Sequence, residues 1–544
     1  MTRLQRSDAD LATARSGRWF ALVALIGACA AALPWVRHPL AFMRATCPDV
    51  FRTPWYHDRM ARHWAVLNLH PDSGFDHPVT QRAVDGFSTV ADVLLTAPLT
   101  WILPWPAQWT AAQSAAILAN AFGLAWLARV LGCRGPGIAF AGFAGAWLQP
   151  AWIELLAGKP QGVLIGLYAA ALAAFLSLVP HDDGSEPRAW RIALASIVAA
   201  LALGNHPPLV VLVAPVALLA PRRPSGPAVA MAAMGTLLLA APFLARMWFV
   251  YGGKILRIGP PRCLDWGQAL AVADLARVVP QPVDSASGAC LSAGLWLAAG
   301  MALIESGRRR RVAALAGVAV LYALAALGSC PRLLPDPFVK PLFEWTPAPV
   351  HWLQQLLNQT SRLSIAAWVL LAMLGSLGLE AAFRRRNRAR CVLAAVAGMH
   401  PVLLVLPLVL GARQWHPVGP PATARFLASA APGVVAELPW DQAGQFLSAL
   451  HQPDRIRVNP RSKLQEAARL LPAVAWLDSL STCTPMAPPT ARDLDEIELR
   501  WIFLDPDRFP DDVPPACRQK ARGRIEDLLG PPLKLEEEVW VWKV

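Results

Sequence analysis

Charge is scarce in this chain. Asp, Glu, Lys and Arg make up 16% of its 544 residues, against 55% hydrophobic residues, and the mean hydropathy is positive. Such a balance does not suit a soluble globular protein and places the chain in the membrane class. There is no CxxC pair and no Cys/His spacing of the zinc-binding kind, which argues against a structural zinc site. Internal repeats and low-complexity tracts are absent too, so neither a repeat array nor a biased linker is expected. Acidic residues are the scarcer sign, and the net charge is +13. In a soluble protein that excess would suggest nucleic acid. Here much of the Arg lies in short loops beside apolar runs, so topology and anionic headgroups account for it and no nucleic-acid partner is expected.

What is present is a series of apolar runs, drawn as spans at about 19–37, 111–129, 137–155, 160–180, 190–205, 207–221, 226–249, 288–307, 312–329, 363–383 and 391–411. Each is near the roughly 20 residues that cross a hydrocarbon core, the fifth and sixth being short. Basic residues occupy every second gap. Arg15 and Arg18 precede the first run, Arg129 and Arg134 follow the second, and Arg188 and Arg191 the fourth. Arg222 and Arg223 follow the sixth, Arg308 to Arg311 the eighth, and Arg384 to Arg390 the tenth. Lys and Arg are held on the cytoplasmic side during insertion, so this alternation predicts an internal N-terminus and an external C-terminus. The first run lacks a convincing cleavage site and is read as a retained helix.

The stretch 88–106 is apolar but broken by Asp92, Pro98 and Pro104. Crossing the membrane there would invert every later basic cluster. It is therefore read as a pair of short juxtamembrane helices, with Trp101, Trp105 and Trp109 at headgroup level. The external parts are then loops of about 38–110, 250–287 and 330–362, and a tail from about 412. The expected architecture is an all-α polytopic membrane domain of about 11 transmembrane helices (1–411, including external loop 38–110), followed by a C-terminal external α/β domain (412–544). In the tail, 434–438, 501–504 and 539–542 read as strands, and 465–471 and 519–529 as helices. Of nine Cys, six (Cys47, Cys263, Cys290, Cys330, Cys483, Cys517) fall in external parts or at external helix ends. That suits an oxidising compartment, with Cys263–Cys290 and Cys483–Cys517 as local pairs and unpaired thiols as the alternative.

The first external loop differs from the rest. Between Cys47 and Asp85 it carries Asp49, His57, Asp58, His63, His70, Asp72, Asp76 and His77 among Trp55, Tyr56 and Trp64, and five of the eleven His (with His38) lie in this loop. Carboxylates beside imidazoles can serve as a general base or as ligands for a divalent metal, although no spacing names a metal and an ordinary solvated loop is the plain alternative.

The order of these features resembles the C-type glycosyltransferase superfamily (GT-C): a first helix from Arg18 to Val36, Asp49 soon after it in Cys47-Pro48-Asp49, an interfacial segment to Pro106, many spans and an external tail. A nearly full-length resemblance is to uncharacterised bacterial GT-C-like multi-pass membrane proteins. It is carried by Trp126-Leu127-Ala128-Arg129-Val130-Leu131-Gly132, Gly204-Asn205-His206-Pro207, Ser361-Arg362-Leu363, Glu437-Leu438-Pro439, and the segment from His451 to Asn459. The resemblance implies a glycosyltransferase of the bacterial inner membrane. It would take a polyprenyl-phosphate-linked sugar and act on a glycan or lipid acceptor at the external (periplasmic) face, in envelope glycan or glycolipid synthesis. Asp49 matches the superfamily's acidic residue and is the first candidate base, with Asp58 and Asp85 next. His57, Lys159, His206, Arg362 and His451 are candidate substrate-binding residues, Arg362 for the lipid phosphate and His451 with Arg455 for an acceptor glycan. Each has a bland reading: loop or capping aspartates, snorkelling or interfacial cations, a surface turn. The chain departs from the better-known enzymes in lacking an Asp-Asp or Asp-Glu pair in the first loop and a Trp-Trp-Asp motif in the tail. A non-catalytic scaffold binding a lipid carrier or assembly partner is the rival class. A transporter is disfavoured by the few ionisable residues within spans and by the absence of paired discontinuous helices in two halves.

Overall fold

The computed structural model describes residues 3–37, 58–59, 62, 97–156, 164–180, 185–205, 213–256, 276–279, 290–305, 309–327, 363–385, 388–410, 420–440, 442–452, 455–458, 470–509, 513–534 and 539–544. They fall into two compact units, one of Met1–Phe42, Ser88–Asp92 and Thr110–Trp415, the other of Met43–Phe87, Val93–Trp109 and His416–Val544.

The first unit is helical. Its helices are α1 (Arg3–Arg37), α2 (Trp105–Val130, whose first turn counts with the second unit), α3 (Pro136–Ala146), α4 (Gln149–Leu156), α5 (Ile165–Leu176) and α6 (Ala189–Asn205). They continue with α7 (Gly226–Leu256), α8 (Ala293–Glu305), α9 (Arg309–Ala325), α10 (Leu363–Arg384) and α11 (Arg388–Leu410). Hydrocarbon offers no partners to backbone N–H and C=O groups, so apolar runs there become helices. Among the described residues, 18–36, 105–130, 363–384 and 389–410 are long and apolar enough to cross a membrane; Ile165–Leu176, Ala189–Gly204, Gly226–Pro242 and Ala293–Ile304 are shorter apolar helices. α10 is central, with its run from Leu363 to Leu374 wholly buried. α2 and α5 cross closely at Gly166, where an added Cβ would lie 2.1 Å from the Ala119 carbonyl oxygen, and the Gly166 N–H donates to Asn120 Oδ1 at 2.7 Å.

The six basic clusters meet at one end of this unit. The Arg129 guanidinium lies over the Phe20 ring, and Arg384 Nη2 donates to the Gly132 carbonyl at 3.4 Å. The Glu380 carboxylate accepts the N–H groups of Gly135 and Gly137, at 3.0 and 3.3 Å, at the start of α3. Val130, Arg191 and Arg222 share one cavity, and Arg311 Nη1 donates to the Ala220 carbonyl at 2.9 Å.

Three stretches differ from the spans read off hydropathy. α2 begins at Trp105 rather than 111, preceded by a 3-10 helix at Ala97–Trp101, because Pro106 is tolerated in a first turn whose N–H groups have no helical partner. The run 137–155 is two helices broken at Trp147–Leu148. Pro150 cannot continue α3 past Ala146, and the Trp152 indole N–H takes up the Ala146 carbonyl at 2.9 Å. The described part of 207–221 holds a 3-10 helix, Ala214–Leu219, that includes Pro215 and stops before Pro221.

The second unit carries a four-stranded sheet in the order β1 (Val434–Leu438), β2 (Leu499–Leu504), β4 (Trp540–Lys543), β3 (Leu533–Lys534). β1 and β2 are parallel and the other pairs antiparallel. α12 (Ala422–Ser429) precedes β1. α13 (Gln442–His451), α14 (Pro472–Thr482) and α15 (Ala491–Glu496) fill the crossover to β2, and α16 (Pro515–Leu529) leads to β3. Side chains alternate across the strands and both faces are buried. Val434, Ala436, Leu438, Ile502 and Trp542 pack with Trp476, Leu477 and Ile525, while Val435, Trp501, Phe503 and Val541 pack with Ala422 and Leu427. Cys483 and Cys517 form a disulfide between α14's end and α16, with Cα atoms 5.8 Å apart. Cys263, of the other expected pair, lies outside the described residues.

Candidate functional site

In the first unit the helix interruptions converge on a polar layer. Gln149 Oε1, at the start of α4, accepts the Cys290 N–H at 2.9 Å. His400, in α11, has Nδ1 2.7 Å from Ser292 Oγ and Nε2 2.8 Å from the Val278 carbonyl. A carbonyl only accepts, which assigns the proton to Nε2 and leaves Nδ1 to accept from the Ser292 hydroxyl in the neutral ring. The Arg277 N–H donates to the Leu291 carbonyl at 2.9 Å, and the Ala293 N–H donates back to the Arg277 carbonyl at 3.2 Å, so two non-helical strands run side by side into the start of α8. Pro401 removes the donor that the Ala397 carbonyl would have had, and Gly294 packs against that oxygen, where a Cβ would be 2.2 Å away.

The depth of this layer follows from helix rise. His400 is twelve residues from the basic end of α11 at Arg388, about 18 Å. α8, with 13 residues, covers about 20 Å from Ala293 to Glu305, next to the Arg309 cluster. Non-helical backbone at such a depth within a core of about 30 Å is tolerated only where protein buries it or it lines a wet cavity. His400 and Arg277 are ionisable residues among apolar helices, a position uncommon without a role.

The second unit holds another polar cluster. Trp105 and Gln108, three apart, share a face of α2's first turn. Trp105 is buried, and its ring meets that of His451, the last residue of α13, edge-on at 5.5 Å. Gln108 is 1% exposed and neither of its amide atoms has a hydrogen-bond partner; His451 Nε2 has none either. Burial lowers the His451 pKa from its ordinary value, so the ring is neutral near pH 7. An unsatisfied buried amide costs about 1–3 kcal/mol, and folds keep few of them.

At the C-terminal end of β1, Glu437 accepts from Arg457 Nε at 3.1 Å and lies 3.6 Å from Arg508 Nη1, which belongs to the residue that pairs with Asp505 at 3.0 Å. Arg457 also donates to the Gln452 and Arg455 carbonyls and to Ser448 Oγ. Burial pulls its pKa down, and Glu437 works against that. This network is structural. So is Arg455, a candidate glycan contact in the sequence, whose Nη1 donates to the Ala431 carbonyl at 2.7 Å and whose Nη2 binds the Leu427 and Ala430 carbonyls.

Of the candidate residues, Asp58 and His451 are described. Asp58 is buried and paired with Arg62 Nε at 2.7 Å. Asp49, Asp85, His57, Lys159, His206 and Arg362 lie outside the described residues. Among those described, no group of three or more His, Cys, Asp or Glu is placed to hold a metal. Sequence reading missed His400, Arg277 and Gln108. His400-Pro401 inside an otherwise apolar run was the available signal for the first, and nothing local marked the others.

No protein-family model matches the chain, and no curated protein matches it by sequence. Solved structures do match by fold. The arabinofuranosyltransferase AftD from Mycobacteria superposes with a TM-score of 0.52 at 18% identity over 90% of this chain and 37% of its own. The oligosaccharyltransferase of Archaeoglobus fulgidus in its apo form gives 0.50 at 12% identity, covering 90% of this chain and 70% of that one. The same enzyme tethered to an acceptor peptide gives 0.50 at 10% identity. This chain thus shares the fold of an arabinofuranosyltransferase and an oligosaccharyltransferase. It spans little more than a third of the mycobacterial enzyme's length.

Proposed function

We propose that this chain is a GT-C glycosyltransferase of the bacterial inner membrane. It transfers a sugar from a polyprenyl-phosphate donor to a glycan or lipid acceptor at the external face, in envelope glycan or glycolipid synthesis. The observation that carries the reading is the shared fold over 90% of the chain with two membrane glycosyltransferases. The reading includes about eleven spans, the basic end of the helical unit in the cytoplasm, and residues from 412 onward forming a periplasmic α/β domain. The convergence of six Arg clusters at one end supports that orientation.

In the reaction a carboxylate takes the proton from the acceptor hydroxyl. The freed oxygen bonds to the anomeric carbon as the bond from that carbon to the phosphate oxygen breaks, inverting the centre, and cations receive the departing phosphate. Asp49 is the first choice of base because its place after the first helix matches the superfamily's acidic residue, with Asp58, which pairs with Arg62 at 2.7 Å, and Asp85 next. Arg362 and Lys159 would serve the phosphate, and His57, His206 and His451 the sugars.

Purified wild type and Asp49→Asn, incubated with a panel of radiolabelled polyprenyl-phosphate sugars, test this. Turnover by wild type alone is expected. Binding without turnover in both forms would replace the transferase with a carrier-binding scaffold, and no binding at all would leave only the fold.

A further inference from the structure

At the basic end of the helical unit a cavity of about 340 Å³ opens between the ends of α2 and α5, the start of α6 and the turn before α7. Its wall carries the guanidinium-bearing residues Arg191 and Arg222 together with Ser177, and Val130, Leu176 and Pro221 supply its apolar part. Among the described residues no Asp or Glu lines it; Asp182 and Asp183, which follow Pro180 in the chain, lie outside those residues. In the adjoining loop, Glu186 is engaged by the Ser225 hydroxyl. Trp190 is 57% exposed, with the Arg191 guanidinium 5.5 Å from its ring centroid. Arg129, Arg188 and Arg223 are chain neighbours of the lining residues, as are Asp182 and Asp183.

Two arginines beside an apolar wall match a phosphate ester that carries a hydrocarbon stem; the Ser177 hydroxyl in the same wall donates to the Ala174 carbonyl at 2.7 Å. Arg binds phosphate oxygens in a two-pronged fashion, and a basic pocket between helices at a membrane surface selects anionic headgroups. The volume is in the range of small-molecule sites. An exposed Trp beside the cavity sits as interfacial aromatics do. We propose that this cavity binds the phosphate of an anionic phospholipid headgroup. The site lies at the basic end of the helices, and the inference rests on the membrane setting rather than on the transferase reading.

Native mass spectrometry of the full-length protein, titrated with phosphatidylglycerol, with phosphatidylcholine, and with inorganic phosphate as competitor, tests it. Wild type is expected to retain phosphatidylglycerol in preference to phosphatidylcholine. Arg191→Gln and Arg222→Gln should each weaken that retention about fivefold, the worth of one cation at an anionic surface. Arg191→Lys should keep most of it, which guards against a folding defect. Arg309→Gln, at the same end but outside the cavity wall, should leave it unchanged. Equal losses in Arg309→Gln would assign the binding to the diffuse field and overturn the site. So would unchanged retention in both cavity variants. Displacement of the lipid by an equal concentration of inorganic phosphate would assign the cavity to a soluble anion and overturn the lipid.

Discussion

Replacing Glu437 should open the sheet of the second unit more than replacing its partner does. The carboxylate is 2% exposed and Arg457 hardly more, so neither is solvated by bulk water. Removing one member of a buried ion pair costs about 3–5 kcal/mol because the other is left uncompensated. The two losses are not equal. Without Arg457, Glu437 still has Arg508 at 3.6 Å, and a carboxylate can shed its charge by taking a proton. Without Glu437, the Arg457 guanidinium keeps its charge and retains only the Gln452 and Arg455 carbonyls and Ser448 Oγ. Glu437→Gln should therefore fall at the upper end, about 4–5 kcal/mol, and Arg457→Leu near 3 kcal/mol or below. The double variant Glu437→Leu, Arg457→Leu should lose less than the sum, since an apolar pair leaves no orphan charge. Hydrogen exchange of the full-length protein in detergent, read on peptides covering 434–438 and 499–504, measures this directly. A loss of protection of about a thousandfold is expected for Glu437→Gln. Protection unchanged within a factor of two, or a larger loss in Arg457→Leu, would refute the reasoning.

Three further outcomes follow from the same structure. His451 has a folded-state pKa below its unfolded value, so the unfolded chain binds the proton more readily. Stability of the second unit should be full above about pH 6.5 and decline as pH falls below it toward the folded-state pKa, and His451→Gln should flatten the difference in exchange rates between pH 7.5 and 5.5. The Cys483–Cys517 bond closes a loop with a sequence separation of 34, which chain-entropy arguments value at about 4 kcal/mol; Cys483→Ser with Cys517→Ser should show that loss as lower thermal stability, and an unchanged melting curve would contradict it. Gly166→Ala would set a Cβ against the Ala119 carbonyl and the Asn120 Cα, neither of which can yield, so a cost of about 3 kcal/mol and a lowered Tm in detergent are expected, and a Tm matching wild type would show that the α2–α5 crossing is not tight.

Much of the helical unit was legible because hydrocarbon enforces one answer on an apolar run. The limits of α6, α10 and α11 lie close to those drawn from hydropathy, and the strand at Val434–Leu438 coincides with the expected one. Departures cluster at proline. Pro150 splits one apolar run in two and Pro106 permits an early start, and in both cases hydropathy averages over the residue that decides. In the tail, α12, α13, α14 and α15 were not expected. Their apolar residues stand among polar ones, and for α12 and α14 it is burial against the two sheet faces that distinguishes them from loop.

The polar layer of the helical unit was not legible in the sequence, and of the loop's Asp and His residues only Asp58 is among the described residues. Ionisable residues concentrated in one loop are visible in a sequence, whereas a buried polar group acquires meaning from partners far along the chain. Ser292 and His400 are 108 residues apart, and Gln149 and Cys290 are 141 apart. Each looks ordinary where it stands. What selects them is the backbone they satisfy: the broken α3–α4 junction and the non-helical segments before α8 leave N–H and C=O groups without helical partners, and these find donors and acceptors in side chains. Gln149 and His400 supply them. A polar side chain among apolar helices is costly unless it is hydrogen-bonded, and both nitrogens of His400 are engaged, one with Ser292 Oγ and one with the Val278 carbonyl, so the histidine satisfies backbone that a leucine in its place would leave without a partner.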